Sequence, residues 1–157
     1  MNIPTTLKHK PVIVSGDYDK IDGRLADNTD AKGLSLGLAQ WNDRGNVDIS
    51  AKIWRYTGEK WSRQSEEAPL HRILDLAILI CRTKLYFKEL YRTEKDANYP
   101  KIDRIPIQGG ALNVDVCVEN EYIDEDIKLF DRKLHEDDEL ISERLRRIYD
   151  LLKKLEI

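Results

Sequence analysis

The sequence predicts an α+β fold: an antiparallel β-meander packed on a long central apolar helix, a second short hairpin, and C-terminal helices. Three observations carry this. Residues alternate apolar and polar on both sides of a WNDRGN turn, a long apolar run follows at about 65–91, and leucine and isoleucine then recur at spacings of three and four to the C-terminus.

PVIVS at 11–15 reads as a first short strand, and the Asp-rich stretch 16–33 as a long loop. Leu34, Leu36 and Leu38 alternate with small residues before the WNDRGN turn, and Val47, Ile49, Ala51 and Ile53 alternate with polar or aromatic ones after it. That is a β-hairpin. A third strand is expected through 60–64. Ser65, Glu66 and Glu67 look like a helix start, with Pro69 in the first turn, and the helix should run to about Tyr91. Its middle, Ile73 to Cys81, is apolar nearly all round and predicts a buried helix, far short of the ~20 residues needed to span a membrane. After a polar loop containing Pro100, RIPIQ and ALNVDVCV form a second hairpin closed by Gly109 and Gly110, with Pro106 confining one strand to an edge. Helices follow from Tyr122 to about Leu134 and from about Asp138 to Leu155. Ile141, Leu145, Ile148, Leu152 and Leu155 line one side of the last. That seam faces either the rest of the chain or a second copy in a homodimer.

The 157 residues suit a single domain, and 41% hydrophobic with 35% charged residues suits a packed one. The N-terminus has no apolar signal segment, and Cys81 and Cys117 fit reduced, packed thiols, so a cytoplasmic protein is expected. Residues 1–104 carry 18 basic and 15 acidic side chains, and 105–157 carry 8 and 14. A uniformly basic nucleic-acid coat is thereby excluded, and a local basic face in the first two thirds is not.

Two places could carry function. In the first, the meander turns its leucines and isoleucines toward the helix and presents Trp41, Lys52, Trp54 and Tyr56 on the other face. Arg55, Lys60 and Arg63 lie nearby, with only Glu59 opposing them between residues 52 and 63. Aromatics interleaved with cations suit single-stranded nucleic acid, which stacks its bases and runs its phosphates past the charges. The competing expectation is that the C-terminal helices cover this face and the tryptophans pack beneath them.

The second place is the loop holding Asp17, Asp19, Asp22, Asp27, Asn28 and Asp30, a source of hard oxygen ligands that would serve a cation-dependent hydrolase. His71 would be its base, with Glu67 four residues before it on one helical face. The EF-hand pattern fails, since Ile21 and Asp22 stand where a ligand and the glycine belong, and Asx-rich loops also form for backbone reasons alone. No nucleophile elbow, phosphate loop or metalloprotease spacing occurs, and no cofactor is expected. A non-catalytic binding or regulatory module is therefore favoured over an enzyme.

The block WNDRGNVDISAKIWRYTGEKWSRQSEEAPLHRILDLAILICR resembles an uncharacterised family of small bacterial proteins, a domain of unknown function, and that resemblance implies no activity. A weaker likeness joins Trp41, Asn42, Arg44, Asp48, Ile49, Trp54, Glu66 and Glu67 to bacterial single-stranded-DNA-binding coactivator-like proteins. It covers about a third of the chain and implies single-strand binding.

Overall fold

The structure, a computed structural model, describes residues 1–93 and 104–157, and the side chains of all of these except 91–93. The fold is α+β. Two compact units divide the chain, Met1–Ile78 and Leu79–Ile157.

The first unit is a four-stranded antiparallel sheet in the order β1 (Lys10–Ser15), β2 (Ala31–Leu38), β3 (Ile49–Arg55), β4 (Glu67–Pro69). The hairpin between β2 and β3 is present, and an Asp43–Asn46 bridge with Gly45 at φ 100° closes its tip. The expected third strand at 60–64 is only an isolated bridge between Tyr56 and Trp61, and Glu67–Pro69 takes its place beside β3. The helix consequently starts at Leu70, not Ser65. Glu66 and Glu67 are held instead by Arg55 and His9, so the side chains that mimic a helix start are spent across the sheet.

The sheet also buries the opposite face from the one its leucines predict. Ala31, Ser35, Ala39, Ser50, Lys52 and Trp54 are buried, whereas Leu36, Leu38 and Ile49 are 40–56% exposed. Small residues explain the choice. Ala31, Gly33, Ser35, Gly37 and Ala39 share one face of β2, and a Cβ on Gly33 would sit 2.8 Å from the Ile3 side chain. The N-terminal segment therefore lies against a face cleared for it, and Trp54 supplies the bulk that leucines would otherwise give. Trp54 packs edge-on against His9 and Trp61, with ring centroids 5.7 and 6.1 Å apart.

Helix α1 (Leu70–Thr93) spans the boundary between the units. The run expected to be buried is not: Leu74, Leu76 and Ile80 are 45–63% exposed and Cys81 is exposed. An all-apolar run has no polar side to say which face turns inward, and burial begins only at Tyr86 and Phe87. In the second unit, Phe87 meets the Phe130 ring at 6.0 Å and Lys84 bonds Asp138. The short hairpin of β5 (Ile105–Ile107) and β6 (Gly110–Leu112) turns through Gln108 and Gly109, the latter at φ 90°. Helices α2 (Ile123–Glu136) and α3 (Asp138–Lys154) follow with Asp137 alone between them. Along α3, Ile141 and Leu145 are half-buried while Ile148, Leu152 and Leu155 are exposed. Cys117 is exposed as well, so neither thiol is packed. The loop around Pro100 lies outside the described residues.

Candidate ligand-binding site

Antiparallel register sets Ser35 opposite Lys52 and Lys52 opposite Glu67, one row across three strands. Ser50 and Trp54 flank Lys52 on the same buried face, because side chains two apart along a strand point the same way. His9, just before β1, drops into this row. It is 1% exposed, in the company of Trp54 at 0%.

The hydrogen bonds close on one another. His9 Nδ1 donates to Glu67 Oε1 at 2.7 Å and lies 3.1 Å from Ser50 Oγ, and Ser50 itself donates to Glu67 Oε1 at 2.7 Å. The Gln40 backbone amide reaches the same oxygen at 3.1 Å. On the far side of the ring, Ser35 Oγ shares a hydrogen bond with His9 Nε2 at 2.9 Å and accepts from Trp54 Nε1 at 2.8 Å. Glu67 can only accept, which puts a proton on His9 Nδ1, and Trp54 can only donate.

Burial by itself would raise the Glu67 carboxyl, but the bonds from Ser50 and His9 outweigh it and hold the group below the usual carboxylate range. Lys52 goes the other way. Burial lowers its pKa, and the nearby Glu67 and Glu66 only partly offset this. Lys52 Nζ lies 3.9 Å from Glu67 Oε2 and 5.0 Å over the Trp54 ring, and among the described residues it makes no hydrogen bond. Glu67 Oε2 is buried and likewise lacks one.

Ser35, His9 and Glu67 are connected as a nucleophile, base and orienting acid would be. Ser35, however, is 4% exposed and absent from the wall of the neighbouring cavity, with Trp54 already on its oxygen. The trio instead clamps the N-terminal segment to the sheet. What opens to solvent is a cavity of about 410 Å³ lined by Leu7, Lys8, His9, Gln40, Lys52 and Arg63, among others. All its charged lining side chains other than the imidazole are cations. This volume falls in the range of small-molecule sites.

The residues expected to form a nucleic-acid face are separated. Trp54 and Lys52 are buried beneath the N-terminal segment, because the small residues of β2 admit that segment. Arg55 is held between Glu66 and Asp30, each at 2.6 Å, which raises its already high pKa. Trp41 stays 41% exposed, its Nε1 donating to Asp48, and Lys60 and Arg63 are exposed. The alternative cation site is likewise dispersed. Asp19 pairs with Lys32 at 3.0 Å, Asp30 with Arg55, and Asp17 with the N-terminal amine at 3.9 Å, while Asp27 takes a positive φ in the loop. Glu67 serves His9, not His71, which lines a separate cavity with Trp41 and Arg72. Among the described residues no group of three acidic, histidine or cysteine side chains could hold a metal, and no helix is long and apolar enough to cross a membrane.

Sequence reasoning missed His9, Ser35 and Ser50. The available signal was parity: Ser50, Lys52 and Trp54 alternate together, as do Gly33, Ser35 and Gly37, and a face carrying both tryptophan and the small residues is one built to be covered.

No curated protein and no solved structure matches this chain, and the likeness to single-strand-binding coactivators finds no support. A family model does match, over residues 1–157, and the chain belongs to that family of unknown function, DUF6530.

Proposed function

We propose that the chain is a non-catalytic binding module of the bacterial cytoplasm, and that its first unit takes a small anionic ligand in the cavity over Lys52. One observation carries the reading: Lys8, Lys52 and Arg63 converge on one cavity whose lining contains no carboxylate. Glu67 balances Lys52 from behind, which leaves the outer two cations for the ligand. Two unpaired thiols, Cys81 and Cys117, suit a reducing compartment.

Thermal unfolding with inorganic phosphate or citrate, against sodium chloride at matched ionic strength, tests this. A ligand at a hundred times its Kd adds about 2.7 kcal/mol of stability. Arg63→Ala and Lys8→Ala should remove the shift without lowering the unliganded melting temperature, since both side chains are exposed. A parent protein that melts alike in all three salts refutes the reading. The single-strand version now rests on Trp41, Lys60 and Arg63, and a titration that quenches no tryptophan fluorescence removes it. The exposed Ile148, Leu152 and Leu155 support a homodimer through α3, which sedimentation would detect as a concentration-dependent mass.

A further inference from the structure

We infer that Lys52 is a covalent anchor in this cavity: its side-chain amine condenses reversibly with the carbonyl carbon of a small 2-oxo acid while Lys8 and Arg63 hold the acid's carboxylate. This rests on the anion-pocket reading and names the ligand class for it. Lys52 is paired with Glu67 only across a gap too long for a hydrogen bond. Its side chain is 3% exposed, its nearest carboxylate oxygen is 3.9 Å away, and its amine makes no hydrogen bond among the described residues although it lines an open cavity. A largely buried ammonium paired this loosely is costly to keep charged, and methionine would fill the same space without that cost. Lysine suits such a place where the neutral amine is needed as a nucleophile. The displaced charge supports this, since burial already moves Lys52 toward the neutral form.

The step balances without a redox partner. The neutral amine attacks the carbonyl carbon and forms a C–N bond. One amine hydrogen passes through solvent in the cavity to the carbonyl oxygen, and that oxygen, taking up one further proton, leaves as water. The product is a protonated imine. Its positive charge stays where the ammonium's was, beside the Glu67 carboxylate, whose buried Oε2 has no hydrogen-bond partner among the described residues. Glu67 is thus a counter-ion in both states, and the polar groups of His9, Ser50 and Ser35, already mutually bonded, are left undisturbed.

Pyruvate with sodium cyanoborohydride tests the proposal on the full chain at neutral pH, with the reduced adduct mapped by proteolysis and mass spectrometry. The expected result is one adduct at Lys52, in excess over any surface lysine by about tenfold for each pH unit that burial takes from its pKa, and suppressed by added phosphate. Lys52→Arg should lose the adduct, because the cation remains and the nucleophile does not. A phosphate shift in the parent with no adduct at Lys52, or with adducts spread over surface lysines, overturns the imine and leaves the anion pocket standing. An adduct at Lys52 indifferent to phosphate, with no phosphate shift, upholds the amine's reactivity and overturns the anion pocket. Should Lys52→Arg fail to fold, suppression by phosphate in the parent decides the matter alone.

Discussion

Replacing Glu67 with glutamine asks whether one carboxylate holds the buried face of the sheet together. Glutamine keeps the shape and one carbonyl oxygen, so the substitution removes charge and little else. Glu67 Oε1 accepts from His9, Ser50 and the Gln40 amide at 2.7, 2.7 and 3.1 Å. Bonds to an ionised acceptor are about twice as strong as neutral ones. Lys52 also loses its counter-ion, and breaking a buried pair costs about 3–5 kcal/mol. The loss has a ceiling, because Lys52 can shed its proton. Moving it from its ordinary 10.5 to pH 7 is about 3.5 pH units at about 1.36 kcal/mol each, or about 5 kcal/mol, and burial has already covered part of that distance. The expected loss is therefore about 3–4 kcal/mol. Urea unfolding followed by tryptophan fluorescence measures it, since Trp41, Trp54 and Trp61 all lie within Met1–Ile78. With a slope of about 1–3 kcal/mol/M the midpoint should fall by at least about 1 M. Acid gives an independent check. The folded Glu67 pKa lies below its ordinary 4.5, so its contribution is complete above 4.5 and is lost as pH falls through the folded value. The difference between parent and variant should shrink in that window. A loss under about 1 kcal/mol at neutral pH, or a difference undiminished by acid, refutes the argument.

Trp54→Ala should destabilise the first unit by about 3–5 kcal/mol, as truncation of a fully buried ring does; an unfolding midpoint near the parent's would mean that the ring is not part of the core. Gly37→Ala would place a Cβ 2.0 Å from the Lys10 carbonyl oxygen, backbone that has nowhere to go, and should cost at least about 1–3 kcal/mol by denaturant unfolding, whereas Gly16→Ala, with nothing within 4 Å, should be silent. Tyr86→Phe removes a buried hydroxyl that has no partner among the described residues and whose pKa burial raises, so it should be neutral or stabilise by up to about 1 kcal/mol; a clear drop in melting temperature would reveal a bond to that oxygen.

Strand and helix identity was legible where pattern and punctuation agree. The hairpin around Arg44 and Gly45, the short hairpin at Gly109 and helix α3 follow from alternation, glycine and four-residue spacing. Register was not legible, and the site is a product of register. Ser35, Lys52 and Glu67 are 17 and 15 residues apart, and nothing in that spacing says that β4 pairs with β3 and sets them in a row. The choice of buried face failed for a related reason. Hydrophobicity favours the face with Leu36, Leu38 and Ile49, and it took the N-terminal segment, invisible to periodicity, to fill the space that Gly33, Ser35 and Gly37 leave. Glu66 and Glu67 misled because carboxylates before an apolar run serve a helix terminus or a cross-strand partner equally well.

The link between His9 and Glu67 spans 58 residues, and this bears on how the chain is made. At about 5–20 residues per second, a ribosome takes about 3 to 12 s to go from one to the other. Throughout that interval the leading segment has no acceptor for its imidazole, and the β2–β3 hairpin, whose partners are neighbours in sequence, can form first and wait with its small-residue face uncovered. The segment around His9 is thus made well before the carboxylate that holds it. Without His9, Ser35, Ser50 and Glu67 would each be short of a partner in the interior, so the segment that carries it acts as the lid of the sheet.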